Sequence, residues 1–316
     1  MLAACPLPHP GPVYSAIDLC KAMLSGKAPG ETLMAASLNR VLRHDAGAGM
    51  LEVQAGVTWD AIAPLTGGSI GTGTVGQWVA DNRAGPDGRP TVAHVCALTL
   101  ASADGELRRA DRKGAADLFG LAIGGFGVFG PFYSLTLDLP SLAGAAATPQ
   151  PLVMVETTAH EGPGTDHEIG LLLPPAAFEA MLPRMRTALE ERRARLLRLE
   201  ARRTQPESDT RLRWAHREFI ALRIGFRAAA TLGASVGAAQ LRSTLIDLAI
   251  EAGGAFELNA IAHATRAQAA ACYPMLGEFL AEKRRLDPEE RVTTPWYRTA
   301  RHVWRGERCP VRWSGP

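Results

Sequence analysis

Residues 117–139, DLFGLAIGGFGVFGPFYSLTLDL, pass from an apolar helical pattern through a glycine cluster into an alternating strand. Gly125, Gly127 and Gly130 satisfy G-x-G-x-x-G, but a dinucleotide turn in a doubly wound sheet needs a strand before its glycines and a helix after them. Here the order is reversed. Asp117 to Ile123 reads as helix, and Pro131 to Leu139 has the period-two, β-branched and aromatic character of a strand. A second match, Gly71, Gly73 and Gly76, follows the turn-rich LTGGSI instead of a buried strand. Both matches fail on context, so a doubly wound nucleotide-binding sheet is excluded.

The chain has 316 residues, 47% hydrophobic and 21% charged, enough to bury a substantial core in two domains or in one domain with lobes. Lys and Arg number 34 against 32 Asp and Glu, a net charge of +2, which gives no electrostatic case for nucleic acid or an anionic membrane. The basic run from Arg184 to Arg203 is interleaved with Leu and Glu and reads as a solvated helix face. Cys5, Cys20, Cys96, Cys272 and Cys309 are odd in number and form no C-x-x-C pair, which points to reduced thiols in the cytoplasm and against a zinc site. No apolar run has the length of a membrane span. Leu2-Ala-Ala-Cys5 has the form of a lipoprotein cleavage box, with nothing before it that a translocon could read.

Two lobes emerge along the chain. Residues 1–140 carry a helix from Ser15 to Leu24, a strand from Met50 to Gln54, a helix from Thr58 to Leu65, a hairpin at Ala103-Asp104-Gly105 and the closing strand to Leu139. Together Val53 to Leu139 are expected to form a mixed sheet. Residues 141–166, rich in small residues and Pro, read as a linker. Beyond it come a strand (His167 to Leu173), a helix (Ala176 to Leu189), two strands (Ala194 to Ala201, Phe219 to Phe226), a helix (Ala238 to Ala252) and a strand (Ala255 to Ile261). That order is βαββαβ, the ferredoxin-like unit, over 167–262. Residues 263–316 form a helical tail. The fold class is α+β.

In order along most of the chain, LNRVLRHD (38–45), LEVQAGVTWDAIAPL (51–65), GTVGQWVADNRAG (73–85), VCALTLASADGELRRA (95–110), DLFGLAIGGFGVFG (117–130) and the block ending LDPEERVTTPWYR (286–298) resemble the FAD-linked oxidases of the vanillyl-alcohol oxidase / p-cresol methylhydroxylase (PCMH) superfamily, particularly bacterial relatives of decaprenylphosphoryl-ribose oxidase. The resemblance implies a PCMH-type FAD-binding lobe, a ferredoxin-like cap over the flavin, and a tail returning to the first lobe with Lys283, Arg285 and Tyr297. It implies that Thr74, Val75, Gly76, Asn82, Gly85, Gly124, Gly125, Gly127 and Lys283 hold FAD, with the glycines lining one cleft. Only residues without a Cβ let backbone approach the ring and diphosphate, and free N–H groups could face phosphate. The alternative is a set of tight turns, which is the better reading for Gly67-Gly68 and for Gly85-Pro86. Trp296 and Tyr297 could equally well just pack the tail.

The departures from the family matter as much. Where relatives have a Gly/Ser-rich diphosphate loop this chain has CKAMLSGKAPGETLMAAS (20–37), with Gly26, Gly30, Lys21 and Lys27 but no G-x-G-x-S. Gln77-Trp78 would crowd the flavin, and Ala84 stands where relatives carry histidine, so FAD is expected to be non-covalent. On the last cap strand Ala260-Ile261-Ala262 replaces a polar residue, which leaves no proton acceptor in the expected place. His263 and Glu168 are the weak catalytic candidates, with His216 and Asn259 beside the cap strands. Two functions follow. One is an FAD-dependent oxidoreductase that takes hydride from an alcohol carbon of a small polyol or sugar derivative. The other is a degenerate member of the family acting as a scaffold or binding partner.

Overall fold

The computed structural model describes residues 15–25, 38–147, 153–156 and 164–307. In the first lobe, strands β1 (Val41–Asp45), β2 (Met50–Gln54), β3 (Val95–Ala101), β4 (Leu107–Asp111) and β5 (Phe132–Asp138) form one sheet in the order β1-β2-β5-β3-β4. Every described pairing is antiparallel, where a mixed sheet was expected. Alternation sends Leu51, Val53, Leu98, Leu100, Leu135 and Leu137 into one core. Among the described residues, five α-helices belong to this half of the chain: α1 (Ala16–Leu24), α2 (Trp59–Thr66), α3 (Val75–Asp81), α4 (Ala116–Ala122) and α5 (Leu139–Ala146). Ser15, Thr58, Thr74 and Asp138 cap four of them through side-chain oxygens, satisfying amides that have no partner within the helix.

In the second lobe, β6 (Val153–Glu156), β7 (Thr165–Leu173), β8 (Arg195–Thr204), β9 (Phe219–Ala228) and β10 (Ala255–Phe256) form an antiparallel sheet ordered β10-β7-β9-β8-β6. Without β6 this is the ferredoxin-like arrangement. Helices α6 (Phe178–Glu191) and α7 (Leu232–Glu251) cover one face, burying Met181, Met185, Leu241, Leu245 and Ile246 against Ile169, Leu171, Leu222, Ile224 and Phe226. The other face is turned toward the first lobe.

Three expectations change. The segment read as a linker supplies α5, whose Leu142 and Ala145 are buried in the first core, and strand β6. The basic run is half helix and half strand, because α6 ends at Glu191 and β8 starts at Arg195. The last cap strand stops at Phe256, and Leu258–His263 is a 3-10 helix.

The tail comprises α8 (Arg266–Cys272), α9 (Leu276–Leu286) and α10 (Pro295–Arg305). It joins the two lobes. Val292 packs with Leu19, Met23, Leu38 and Ala101 on the first lobe, while Tyr297, Ala300 and Val303 enter the cap core. Its turn is held by Lys283, fully buried, whose Nζ donates to Asp287 Oδ2 at 2.5 Å. Burial alone would push the Asp287 carboxyl up, but Lys283 and the amides of Val292 and Arg291 hold it below its ordinary value.

Removing one partner of such a pair strands a buried charge, which destabilises proteins by about 3–5 kcal/mol. Asp287→Ala is therefore expected to lower stability by about that amount, measured by urea unfolding. A loss within error of zero would show that the tail turn is held by its backbone alone.

Candidate functional site

A cleft of about 440 Å³ runs between the lobes. Its first wall is built from Ile70 to Thr72, the end of α3 with Asn82 and Arg83, and Phe126 from the glycine turn. Asn82 takes the left-handed conformation (φ 49°, ψ 47°) that ends α3, one that Asn tolerates better than most residues. Its Oδ1 accepts from Val92 N at 2.9 Å, and its carbonyl accepts from Trp214 Nε1 at 2.9 Å. Its Nδ2, buried, has no partner. The floor is Trp78, whose Nε1 donates to Thr72 O at 2.8 Å. A Cβ on Gly71 would fall 1.8 Å from that indole, so only glycine leaves room for it. Phe126 holds φ 52° and stacks on Trp296 with ring centroids 4.3 Å apart.

The second wall is the open face of the cap sheet. Register places Arg198 opposite Gly225, Glu200 opposite Arg223 and Arg202 opposite Ala221, so these side chains share one face. Glu200 accepts from Arg198 at 2.7 Å and lies 3.4 Å from Arg202, whose Nη1 also reaches Gly85 O of the first lobe at 3.1 Å. Glu257 follows β10 and its amide donates to Gly170 O. A Cβ on Gly170 would stand 2.4 Å from the Glu257 carboxyl, so the glycine lets Glu257 lie across the sheet toward Arg223 Nε, 3.7 Å away. Asn259 Nδ2 donates to its other oxygen at 3.3 Å.

Of the residues expected at the cofactor, Asn82 lines the cleft and Gly85 touches its rim through Arg202. The glycines do not line it. The amides of Val75 and Gly76 donate to Val57 O and Ala55 O, and those of Gly124 and Gly125 to Val79 O and Ala122 O, so these four are not free to face phosphate. A Cβ at Gly76 would meet Ala55 O at 2.7 Å, and one at Gly125 would meet Leu121 O at 2.2 Å. These two glycines allow chain to pack on chain. Gly124 instead makes room for Asn82, and Gly127 lies beside Thr294. Thr74 caps α3. Lys283 lines a separate cavity of about 310 Å³ with Leu118, Leu121 and Phe129. Gly26, Lys27 and Gly30 lie outside the described residues, and Lys21 is exposed. The expected crowding by Gln77 does not occur, since Gln77 is exposed and Trp78 alone enters the cleft.

Of the catalytic candidates, Glu168 sits exposed on the cleft-facing side of β7 but outside the cleft lining. His263 lies among cap residues on the opposite side of the sheet. Burial, then the charges of Arg242 and His167, pushes its imidazole down to about 4. Asn259 does line the cleft. Sequence reasoning passed over Arg198, Glu200, Arg202, Arg223 and Glu257, although Arg-x-Glu-x-Arg at 198–202 is a period-two charged face on a strand. Ala260 and Ile261, at the position where relatives were expected to carry a polar residue, lie buried in the 3-10 helix, and the titratable residue of this segment that lines the cleft is Glu257.

Residues 22–111 match the family described as FAD binding domain. Among solved structures, the chain is similar to wild-type BBE-like 1 of Physcomitrella patens, at 12% identity and TM-score 0.59, over 90% of this chain and 89% of the other. It is also similar to a carbohydrate oxidase from Microdochium nivale in complex with a substrate analogue, at 12% identity and TM-score 0.50, over 82% and 80%. No curated protein sequence matches it. The chain has an α+β fold shared with these proteins and carries an FAD-binding domain; its cofactor is FAD. No helix among the described residues is long and apolar enough to cross a membrane.

Two outcomes follow. Gly125→Val drives a side chain into the Leu121 carbonyl and should destabilise the fold by about 1–3 kcal/mol, read by urea unfolding; unchanged stability with loss of flavin would restore the cofactor role. The unfolded chain protonates His263 near pH 6.5, whereas the folded chain resists until about 4. Stability therefore falls as pH drops through that window, by up to about 3 kcal/mol. His263→Gln should flatten the pH dependence of the urea midpoint, and an unchanged slope would remove His263 from this account.

Proposed function

We propose that this chain is an FAD-dependent oxidoreductase of the branch resembling decaprenylphosphoryl-ribose oxidase, acting on the alcohol carbon of a sugar or polyol-like small molecule with non-covalent FAD. The observation that carries this reading is the cleft itself. An FAD-binding lobe forms one wall, with the unpartnered Asn82 Nδ2 beside it, and an oriented carboxylate, Glu257, stands on the other. Asn82 and Arg83 fit the flavin end of FAD: a buried amide donor with no protein partner suits a ring carbonyl, and a guanidinium suits the negative charge that the ring would gain on reduction. Bound there, FAD supplies the acceptor for a hydride from the substrate carbon. Ala84 offers no atom for a covalent link.

The chain's own contribution is proton transfer and orientation. Glu257, steadied by Arg223 on one oxygen and Asn259 on the other, takes the hydroxyl proton as the carbon is oxidised. Arg202 ties the cap to Gly85 and keeps the two walls at a fixed spacing.

Purified protein is expected to be yellow, and acid precipitation should leave a colourless pellet. A coloured pellet would mean a covalent link, and protein that stays colourless when mixed with FAD would favour the scaffold reading. Glu257→Gln should keep the flavin spectrum and slow its anaerobic bleaching by polyol or sugar substrates by about 10²–10⁴. Bleaching at the parent rate would remove Glu257 from the mechanism.

A further inference from the structure

We infer that the substrate of this cleft carries an anionic group, a carboxylate or a phosphate, received by Arg223 and Arg198 on the cap wall. The inference rests on the reading of the cap as the substrate side. It comes from an inventory of donors. Each guanidinium carries five N–H groups and no acceptor. Three of them, Arg198, Arg202 and Arg223, reach the cleft from β8 and β9. Arg202 is engaged with Glu200 and with Gly85 O. Arg198 meets Glu200 through one Nη, and Arg223 meets Glu257 through Nε at a separation longer than a hydrogen bond.

The carboxylates on this wall are two, and both are shared. Glu200 serves two arginines, and Glu257 is divided between Arg223 and Asn259. Glu168, next to Arg223 on the same face, is exposed and does not line the cleft. Across the gap stands Asn82 Nδ2, one more donor without an acceptor. On the first wall Arg83 is paired with Asp81 at 2.7 Å, whereas on the cap wall donors exceed acceptors, so the complementary ligand is rich in acceptors and negatively charged. A neutral polyol, which brings a donor with every acceptor, would leave this surplus unmet. Gly225, opposite Arg198, and Ala221, opposite Arg202, keep the face low enough for an anion to lie between the guanidinium groups.

The test compares three probes of similar size by isothermal titration calorimetry on the protein as purified: D-gluconate for a carboxylate, sorbitol 6-phosphate for a phosphate, and sorbitol for neither. At least one anion should bind about 10–100-fold more tightly than sorbitol, as expected for charge-assisted hydrogen bonds. Which anion binds more tightly identifies the group. Arg223→Gln and Arg198→Gln should each reduce that advantage, and Arg223→Lys should retain part of it, with near-ultraviolet circular dichroism confirming the fold. Sorbitol binding as tightly as both anions, no binding by any probe, or an anion advantage that survives both glutamine variants would overturn the inference. Protein that is yellow yet indifferent to charge would sink this inference and leave the oxidoreductase standing. Colourless protein that still prefers an anion would do the reverse.

Discussion

Asn82 is the point on which the two lobes depend. One residue ends α3, fixes the 3-10 turn at Val92, receives the indole of Trp214 from the cap side and leaves one buried amide nitrogen without a protein partner beside the cleft. Its left-handed backbone is what makes the four roles compatible, because a right-handed residue would continue the helix and carry the carbonyl away from Trp214. The seam then extends through backbone bonds: Arg211 N to Gly120 O, and Gln205 N to Gly88 O. A Cβ on Gly88 would lie 2.3 Å from Arg203 O, so the loop after the cleft is pressed directly against β8. The cleft is thus shaped by main-chain contacts and only lined by side chains.

Most of the fold could be read from the sequence because periodicity survives where one face is buried. β9 alternates cleanly and β2 along most of its length, β5 and β7 read as strands by their apolar, β-rich runs buried on both faces, and the βαββαβ order of the cap follows from element type alone. What was hidden has a physical reason in each case. Val41–Asp45 is an edge strand exposed along nearly its whole length, so no alternation marks it. Leu139–Ala146 is short, small-residued and begins with Pro140 at its first turn, a composition shared by linkers and by helix starts. The last cap strand fails after two residues because Glu257 turns the chain into a 3-10 helix, a tertiary choice that an apolar run such as Ala260-Ile261-Ala262 does not announce.

The site was less legible, and the cause is parity. His167 and Glu168 are neighbours in sequence and point to opposite faces of β7, one toward Arg242 among the helices and the other toward the side of Arg223. No spacing rule tells which face meets a cofactor until the lobes are docked. The same holds for the glycines. Their number and clustering signal close approach, but the approaching group turns out to be Ala55, Leu121 and Asn82 of the protein itself. Gly71, absent from the expected set, is the glycine that shapes the cleft.

A contiguous ring of aromatic contacts explains how the tail can matter to a site it hardly lines. Phe126 in the cleft stacks on Trp296, Trp296 meets Phe279 edge-on at 6.2 Å, and Phe279 meets Phe129 at 5.2 Å. Both ends of this chain of rings belong to the glycine turn, and the middle belongs to the tail. Trp296 Nε1 also donates to Leu258 O at 2.8 Å, next to Glu257. The tail therefore holds the strained Phe126 on one wall and the start of the 3-10 helix on the other with the same indole. A rearrangement of Trp296 would move both walls together, so the distance from Asn82 to Glu257 is set from behind the site, by packing that is in place before any ligand arrives.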